Sequence, residues 1–339
     1  MDHLSRVLNG NQNLPALTDK FGRILNYLRL AVTERCNLRC TYCMPESGIV
    51  LKPEDQILAY EEMLRLVKLV IRMGVTKVRV TGGEPMIRKG ITEFIRRLSS
   101  VSGLNEVHLT TNGFWGRQQI DELDSLNLAG VNFSLDTLNP ERFKDITRRD
   151  AFDAVWATFM SLLEKSIPLK INAVIQRGVN EDEIIALSKL AQKYSLDVRF
   201  IEEMPFNGGV TDVNPFSAGE IQAILKAAYP AMQKTSPPGS VSSNYTIAGF
   251  KGQLGIIAGF SRTFCSSCNR LRVTSTGQVK TCLYGKNELD LRALLRDGSS
   301  DEFIAQAISQ AVNHKARDGF EAEKMAASPV HSSMSTIGG

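Results

Sequence analysis

Two hydrophobic periodicities alternate along the chain between residues 23 and 204. Short apolar runs rich in β-branched residues are separated by longer stretches in which apolar residues recur every three to four positions. The runs predict strands over 24–33, 75–82, 105–112, 130–136, 169–176 and 197–204. The stretches between them predict helices over 59–74, 90–101, 117–129, 152–165 and 181–194. Because six βα units are too few to close an eightfold barrel, we expect an α/β fold, an open, partial (β/α)6 TIM-like barrel.

The pattern changes after Met204, where a Gly/Asn/Pro-rich loop interrupts the alternation. The rest of the chain predicts a helix over 218–228, short strands around 245–260 and 270–282, and closing helices over 288–296 and 301–315. We therefore expect a C-terminal α+β extension. The predicted division is an N-terminal extension (1–22), the barrel (23–216), the C-terminal region (217–325) and a mobile tail (326–339).

Composition adds two expectations. The 40 Lys and Arg residues against 36 Asp and Glu give a net charge of +4, which is too small to indicate a nucleic-acid partner. The first 20 residues lack the apolar core of a secretion signal, and no run of 18 apolar residues follows. We expect a cytoplasmic protein that does not associate with membranes and that could bind a small anion.

The six cysteines form two groups of three. Cys36, Cys40 and Cys43 follow C-x3-C-x2-C, directly after the first predicted strand. The second group, C-x2-C-x13-C, consists of Cys265, Cys268 and Cys282. In a reducing compartment such groups indicate metal binding or catalysis rather than disulfides.

Three interpretations compete for the first group. A structural zinc ion would need a fourth ligand nearby, and the next histidine along the chain is the distant His108. A thioredoxin-like pair formed by Cys40 and Cys43 would leave Cys36 without a role. A four-iron cluster held by three thiolates leaves one iron open to bind something else, and this explains the missing ligand. The TGGEP turn (81–85) is either an ordinary βα turn or a place where two glycines let the backbone approach a ligand.

The cysteine spacing, with Tyr42 before the last cysteine, and the GGEP turn at the next strand end together resemble the radical S-adenosylmethionine superfamily. In that superfamily the open iron binds S-adenosylmethionine, and one electron from the cluster cleaves it to a 5′-deoxyadenosyl radical. The resemblance implies that the first cysteine group holds a [4Fe-4S] cluster.

For the second group a zinc ribbon is the alternative, and it too lacks a fourth ligand. A second open cluster facing the first across the barrel mouth fits better. The resemblance then narrows to the GTP 3′,8-cyclase family, on the segments LRLAVTERCNLRCTYCMP (28–45), KVRVTGGEP (77–85), LTTNG (109–113), NFSLDT (132–137), KINAVIQRGVN (170–180) and CSSCNRLRVTSTGQVKTCL (265–283). It implies conversion of GTP to 3′,8-cyclo-7,8-dihydro-GTP, the first step of molybdenum cofactor biosynthesis, with two [4Fe-4S] clusters and S-adenosylmethionine.

Carried over residue by residue, the resemblance implies the site. The residues implied for S-adenosylmethionine are Tyr42, Gly83, Ser134 and Met204. Those implied for GTP are Arg29, Arg79, Thr110, Lys170, Arg270, Leu271 and Arg272. Catalytic roles fall to the first cysteine group, to Arg270 and Arg272, and to the terminal Gly338 and Gly339. Guanidinium groups suit a triphosphate because they make paired, charge-assisted hydrogen bonds to its oxygens.

The resemblance also implies a homodimer, an electron donor such as flavodoxin, and cyclic pyranopterin monophosphate synthase as the downstream enzyme. Two alternatives stay open. One is a radical S-adenosylmethionine enzyme of another kind, such as a peptide-modifying maturase; the other is a non-catalytic iron–sulfur or zinc protein. Iron content and cleavage of S-adenosylmethionine separate them.

Overall fold

Twelve strands join one sheet in the computed structural model, which describes residues 14–207, 214–236, 240–326 and 332–338. The first six are β1 (Tyr27–Ala31), β2 (Lys77–Thr81), β3 (Glu106–Thr111), β4 (Gly130–Ser134), β5 (Leu169–Ile175) and β6 (Asp197–Glu202). The others are β7 (Gln233–Lys234), β8 (Ser243–Thr246), β9 (Leu254–Ile257), β10 (Arg270–Val273), β11 (Gln278–Lys280) and β12 (Leu289–Asp290). Their order is β12-β11-β10-β1-β2-β3-β4-β5-β6-β9-β8-β7.

The helices of the described residues lie mostly between the strands. They are α1 (Tyr60–Arg72), α2 (Ile91–Ser99), α3 (Arg117–Glu122), α4 (Pro140–Thr147), α5 (Phe152–Leu163), α6 (Ile184–Lys193), α7 (Ala218–Ala228), α8 (Leu291–Arg296), α9 (Asp301–Asn313), α10 (Gly319–Met325) and α11 (Met334–Ile337). Short 3-10 helices occupy Glu54–Gln56, Pro85–Ile87, Leu123–Leu126, Glu181–Glu183 and Cys265–Ser267. Among the described residues no helix is both long and apolar enough to span a bilayer.

The predicted partial barrel is confirmed, since β1 to β6 pair in parallel in the order of the chain. Each of the six predicted strands contains the observed one, and each of the five predicted helices contains a helix. The sequence reading missed α4. Its signal is nevertheless present, because the Asn139 side chain accepts a hydrogen bond from the Arg142 amide and Pro140 opens the first turn.

The C-terminal region is more closely joined to the barrel than an appended extension would be. Its strand β9 pairs in parallel with β6, and its strand β10 pairs in parallel with β1. Eight consecutive strands, β10, β1 to β6 and β9, therefore run in parallel. Since β9 and β10 lie apart in the strand order, the sheet stays open. The local pattern could not show this, because β9 and β10 are each four residues long and pair with distant parts of the chain.

Two apolar clusters hold these layers together. The larger one packs the outward faces of the barrel strands against the helices and includes Ile304 and Ile308 of α9. The smaller one joins Phe206, Tyr284 and Ile337 beside α10 and α11. The part of the predicted mobile tail that is described, 332–338, is thus packed, because the Ile337 side chain is buried in this cluster. Residues 327–331 and Gly339 lie outside the described residues.

A buried carboxylate fixes the C-terminal end of β6. Glu202 is fully buried, and one of its oxygens accepts hydrogen bonds from the Ala218 amide (2.6 Å) and the Ser261 hydroxyl (2.7 Å). The other oxygen accepts from the Ser261 amide at 2.7 Å. Glu202 thereby ties the barrel to the start of α7 and to the loop after β9.

Replacing Glu202 by Gln is expected to lower the free energy of unfolding by about 2 kcal/mol, because the new amide N–H2 would face donors rather than acceptors. The midpoint of thermal unfolding, followed by circular dichroism, should fall by about 5 °C. Glu203→Gln is the matched control, since among the described residues Glu203 accepts one side-chain hydrogen bond, from Gln176 (3.0 Å). Equal shifts in the two variants would show that Glu202 does not join these elements.

Candidate active site

A cavity of about 490 Å³ fills the inside of the barrel. Because alternate residues of a strand face one side, each parallel strand sends every second side chain into it. The cavity is lined by Tyr27 and Arg29 of β1, Arg79 of β2, and Arg270 and Arg272 of β10, among others. A volume of this size accommodates a ligand as large as a nucleotide.

Strand register sets the cationic side chains of the cavity next to one another. Arg29 pairs with Arg79 of β2 on one side and with Arg272 of β10 on the other. One layer toward the strand starts, Tyr27 pairs with Lys77 and Arg270. The register alone therefore concentrates positive charge inside the barrel.

These arginines have no negatively charged partner in the part of the chain that the structure describes. Within the described residues, the Nε atoms of Arg29, Arg199 and Arg270 are buried without a hydrogen bond, and no salt bridge engages these three, Arg79 or Arg272. Burial and the charge of Arg272 hold the pKa of Arg29 well below its usual value. Burial likewise lowers the pKa of Arg199 and of Arg272 to about 10. Buried cations of this kind are costly unless an anion meets them, so the cavity is built for an anionic ligand.

Arg199 was missed by the sequence reasoning. It occupies an inward position of β6 and lines the cavity. Gly255 of β9, its neighbour in register, makes room for it, because a Cβ atom there would lie 3.0 Å from Arg199 Cγ. The available signal was a charged residue at an inward position of a predicted barrel strand.

The two cysteine groups lie at opposite ends of the strands, not across one mouth as expected. The first group follows the C-terminal end of β1. Cys268 comes two residues before Arg270, which pairs with Tyr27 at the start of β1. Cys282 follows β11, which is antiparallel to β10 and brings it back to the same end. All six cysteines still line the one cavity, with the arginines between the groups.

The GGEP turn packs against the loop that carries the first cysteine group. The amides of Gly83 and Glu84 donate to the carbonyls of Thr33 (2.9 Å) and Arg35 (2.8 Å). A Cβ atom at Gly83 would lie 2.4 Å from the Arg35 oxygen, so only glycine allows this approach. The glycines of this turn thus let the backbone approach the chain's own cysteine loop. Gly82 and Gly83 also line the cavity, where a ligand could reach them.

The Glu84 carboxylate completes this turn. It is fully buried and accepts from the Thr111 hydroxyl (2.9 Å), the Asn112 amide (2.6 Å) and the Met86 amide (2.9 Å). Burial raises its pKa to about 7 despite these bonds. Asn112 in turn lies with Nδ2 3.6 Å from Cys36 Sγ. Glu84 therefore links β2, β3 and the first cysteine group.

The second cysteine group has a cationic surrounding that the sequence did not reveal. Lys315 is almost fully buried, donates to the carbonyls of Arg270 (3.3 Å) and Thr281, and lies with Nζ 3.9 Å from Cys268 Sγ. Burial raises the pKa of Cys268, but the charges of Lys315 and Arg270 outweigh it and the pKa is lowered. In the first group burial prevails and raises the pKa of Cys36 to about 12 and of Cys43 to about 11.

The donor sets suit iron–sulfur clusters. No group of three or more His, Cys, Asp or Glu side chains among the described residues is placed to hold a single metal ion. A four-iron cluster makes a different demand, because each thiolate binds its own iron. Each group offers three free thiols on one cavity wall, and the amide of Asn112 and the ammonium of Lys315 can donate to sulfur.

The structure brings the four residues predicted for S-adenosylmethionine to the cavity. Tyr42, Gly83, Ser134 and Met204 all line it. The Tyr42 hydroxyl donates to Asp136 Oδ2 at 2.7 Å, and Asp136 was not among the predicted residues. Their roles toward this cofactor stay predictions.

The residues predicted for GTP divide into two sets. Arg29, Arg79, Thr110, Arg270 and Arg272 line the cavity. The other two do not line it: Lys170 Nζ pairs with Asp197 Oδ2 at 2.7 Å, and Leu271 is fully buried in the apolar core.

The C-terminal tail reaches the cavity near the C-terminal end of β1. Arg272 Nη1 donates to the Gly338 carbonyl at 3.3 Å, and a Cβ atom at Gly338 would lie 2.8 Å from Ala31 Cβ at the end of β1. The Ser333 hydroxyl donates to the Cys43 carbonyl at 2.6 Å. The tail thus touches both an inward arginine and the first cysteine loop. Gly339, also predicted to be catalytic, lies outside the described residues.

Two family models match consecutive parts of the chain. A Radical SAM superfamily model matches residues 30–191, and a Molybdenum Cofactor Synthesis C model matches residues 196–320. The GTP 3′,8-cyclase of Desulforamulus reducens is 40% identical over 308 residues, which cover 88% of this chain and 94% of that protein. The chain belongs to the GTP 3′,8-cyclase family. The family resemblance inferred from the motifs is confirmed.

Some members of the family are longer. Molybdenum cofactor biosynthesis protein 1 of Dictyostelium discoideum is 42% identical over 305 residues, which cover 88% of this chain and 48% of that protein. The chain therefore spans about half the length of such relatives.

Membership of the Radical SAM superfamily implies the means of catalysis. Enzymes of this superfamily use an iron–sulfur cluster together with S-adenosylmethionine.

Solved structures show the same fold at low sequence identity. Streptococcus suis SuiB bound to S-adenosylmethionine has a TM-score of 0.57 and 15% identity, covering 84% of this chain and 68% of that chain. Native anSMEcpe with bound AdoMet has a TM-score of 0.54 and 14% identity, covering 89% and 84%. At such identities the likeness concerns the fold, and it agrees with the partial barrel.

Gly83→Ala is expected to disturb the first cysteine loop, because the new methyl group would collide with the Arg35 and Glu34 carbonyls. Iron bound per chain after anaerobic reconstitution should fall by about four, the content of one four-iron cluster. Gly219→Ala in α7 is the control, since its nearest neighbour would be Ser217 Oγ at 3.9 Å. Full iron content in the Gly83 variant would contradict this role of the turn.

Proposed function

We propose that this chain is a radical S-adenosylmethionine enzyme that converts GTP to 3′,8-cyclo-7,8-dihydro-GTP, the first step of molybdenum cofactor biosynthesis. The observation that carries the proposal is the set of buried and half-buried arginines, without ion-pair partners among the described residues, between two cysteine groups in one cavity. The name of the Desulforamulus reducens relative and its coverage support the same reaction.

The arginines provide the triphosphate site. Arg29, Arg79 and Arg272 are neighbours in register on three adjacent strands, so their guanidinium groups converge on one region. Arg199 faces them from β6, on the other side of the cavity. A triphosphate would supply the negative charge that they lack and would bind through charge-assisted hydrogen bonds.

The cofactor sites follow from the two cysteine groups. Cys36, Cys40 and Cys43 would hold one [4Fe-4S] cluster, and the second group would hold another, each leaving one iron without a protein thiolate. When bound, the first cluster and S-adenosylmethionine supply the radical that abstracts hydrogen from the substrate. The second cluster, near Lys315 and Arg270, would meet the guanine end of the nucleotide.

The chain itself contributes positioning and exclusion of water. Arginines on rigid strands fix the triphosphate, and this leaves the ribose between the two cysteine groups. Asn132, Ser134 and Asn172 offer polar contacts along the opposite wall, and Asn172 Oδ1 is buried without a partner among the described residues. The packed tail at Gly338 covers the cavity near the first cysteine loop. Because the tail excludes solvent there, it would protect a reactive intermediate.

A peptide-modifying maturase is the second candidate, since Streptococcus suis SuiB, whose structure is also known with the precursor peptide SuiA bound, shares the fold. The buried arginine cluster favours a polyanion over a peptide, because a peptide would leave most of these charges unpaired. A homodimer, an electron donor such as flavodoxin, a downstream cyclic pyranopterin monophosphate synthase and a cytoplasmic location remain predictions.

The decisive experiment is anaerobic reconstitution followed by turnover with GTP deuterated at C3′. We expect about eight irons per chain and about four in both Cys40→Ala and Cys268→Ala. Deuterium should appear in 5′-deoxyadenosine, and S-adenosylmethionine cleavage should depend on GTP. Bound zinc without cleavage would overturn the enzyme assignment, and deuterium-free cleavage would overturn GTP as the hydrogen donor.

Removal of Gly338 and Gly339 is expected to abolish product formation while GTP binding changes less than about threefold. The reason is that Arg272 donates to the Gly338 carbonyl near the C-terminal end of β1, whereas no hydrogen bond between the described tail residues and Arg29, Arg79, Arg199 or Arg270 is present. GTP affinity by equilibrium dialysis and product by mass spectrometry separate the two effects. Unchanged product formation would remove the catalytic role of the tail.

A further inference from the structure

We propose that Tyr27 is a positioning residue for the substrate triphosphate: its phenol oxygen holds Arg79 when no phosphate is bound and takes up a proton when phosphate replaces it. This inference rests on the proposed function, because it concerns the site that the arginines form for GTP.

Tyr27 lies at the centre of the cationic cluster. Its side chain faces the cavity from β1, is 7% exposed, and is flanked in register by Lys77 and Arg270. The ring centroid lies 5.3 Å from Lys77 Nζ, 5.8 Å from Arg79 Cζ and 5.6 Å from Arg270 Cζ. Arg79 Nε donates a hydrogen bond to the phenol oxygen. Three cations from two neighbouring strands thus surround one tyrosine.

The charged groups around Tyr27 are almost all positive. Arg29 lies on its own strand, Lys77 and Arg79 on β2, Arg270 and Arg272 on β10, Arg199 on β6, and Lys280 on β11 beside Arg272. On β3, Glu106 pairs with Lys77 (2.6 Å) and with His108 (2.7 Å) rather than with an arginine. Among the described residues, the acid that meets the arginines directly is therefore the phenol of Tyr27.

The electrostatics agree with this geometry. Burial raises the pKa of Tyr27, but the charges of Arg79, Arg29 and Arg270 outweigh burial and bring it to about 7. A triphosphate would occupy the same cations and add negative charge beside the phenol. The pKa of Tyr27 would then rise, so GTP binding at alkaline pH would take up a proton from solvent.

The sign of the pH effect follows from this shift. Below pH 7 the phenol is neutral in both states, and it does not affect binding. Above pH 7 the free site holds a phenolate that must be protonated when GTP binds, so the association constant falls by up to about tenfold per pH unit. A purely structural tyrosine would leave the pH profile unchanged.

The experiment compares reconstituted wild type with Tyr27→Phe by anaerobic isothermal titration calorimetry. GTP is titrated at pH 6.5 and 8.5, and at pH 8 in two buffers of different ionisation enthalpy, which gives the protons taken up. We expect the dissociation constant of the wild type to rise at least about tenfold more than that of the variant between the two pH values. Proton uptake at pH 8 should exceed that of the variant by about 0.5 to 0.9 per GTP.

Other titrating groups cancel in this comparison. Burial lowers the pKa of Lys280 to about 8, and the terminal phosphate of GTP also titrates, but both are present in the two proteins. Tyr60→Phe is the matched control, because Tyr60 also lies beside an arginine, with Arg88 Cζ 4.2 Å from its ring, but lies outside the cavity lining. Burial raises its pKa to about 12, so this variant should keep the wild-type profile.

A fluorotyrosine at position 27 provides a second test that preserves the side chain's shape. Fluorination acidifies the phenol, so the fall in affinity should begin at lower pH. Inorganic tripolyphosphate should show the same difference between wild type and Tyr27→Phe as GTP does. GTP binding with equal pH profiles and proton counts in all proteins would overturn the inference alone. Absence of GTP binding to the wild type would overturn the proposed function and this inference with it.

Discussion

The constraint on which the rest of this structure depends is the placement of guanidinium groups inside the barrel, where none of the described residues gives them a carboxylate partner. A barrel interior normally filled with branched apolar side chains instead contains Arg29, Arg79, Arg199, Arg270 and Arg272. The fold accommodates them because its stability comes from the other face of the same strands, where the apolar core packs against the helices. The strands thus serve two purposes, one on each face, and the alternation of side chains keeps these purposes separate.

The same constraint explains the two ends of the cavity. Iron–sulfur clusters carry negative charge on their thiolates and sulfides, and the arginines lie between the two cysteine groups. At one end, the amides of Gly83 and Glu84 donate to carbonyls of the first cysteine loop, and the approach at Gly83 leaves no room for a Cβ atom. At the other, Lys315 supplies a buried charge next to Cys268. The two groups therefore have different electrostatic surroundings, which suits different tasks.

The sequence could predict what is local and periodic. Six strands, five helices and both cysteine groups follow from patterns within short windows, and even Asn139–Pro140 carried a readable start signal for α4. Long-range pairing was beyond it, because nothing near Arg270 indicates that it lies beside Tyr27. Arg199 and Lys315 were missed for the same reason, since a buried charge becomes visible only once its surroundings are known. Lys170 lies in one of the family motifs, but in the structure its ammonium group pairs with Asp197. Its role toward GTP stays a prediction.

The pairing of β10 with β1 also has a consequence for synthesis of the protein. Arg29 and Arg79 leave the ribosome early, whereas Arg270 and Arg272 belong to the last quarter of the chain. The parallel contact between Tyr27 and Arg270 closes a long loop and must form late. A nascent chain with only the first six strands has three of the five clustered arginines, without β10 to cover the β1 side. The five arginines are therefore brought together only once β10 has paired with β1, at the end of folding.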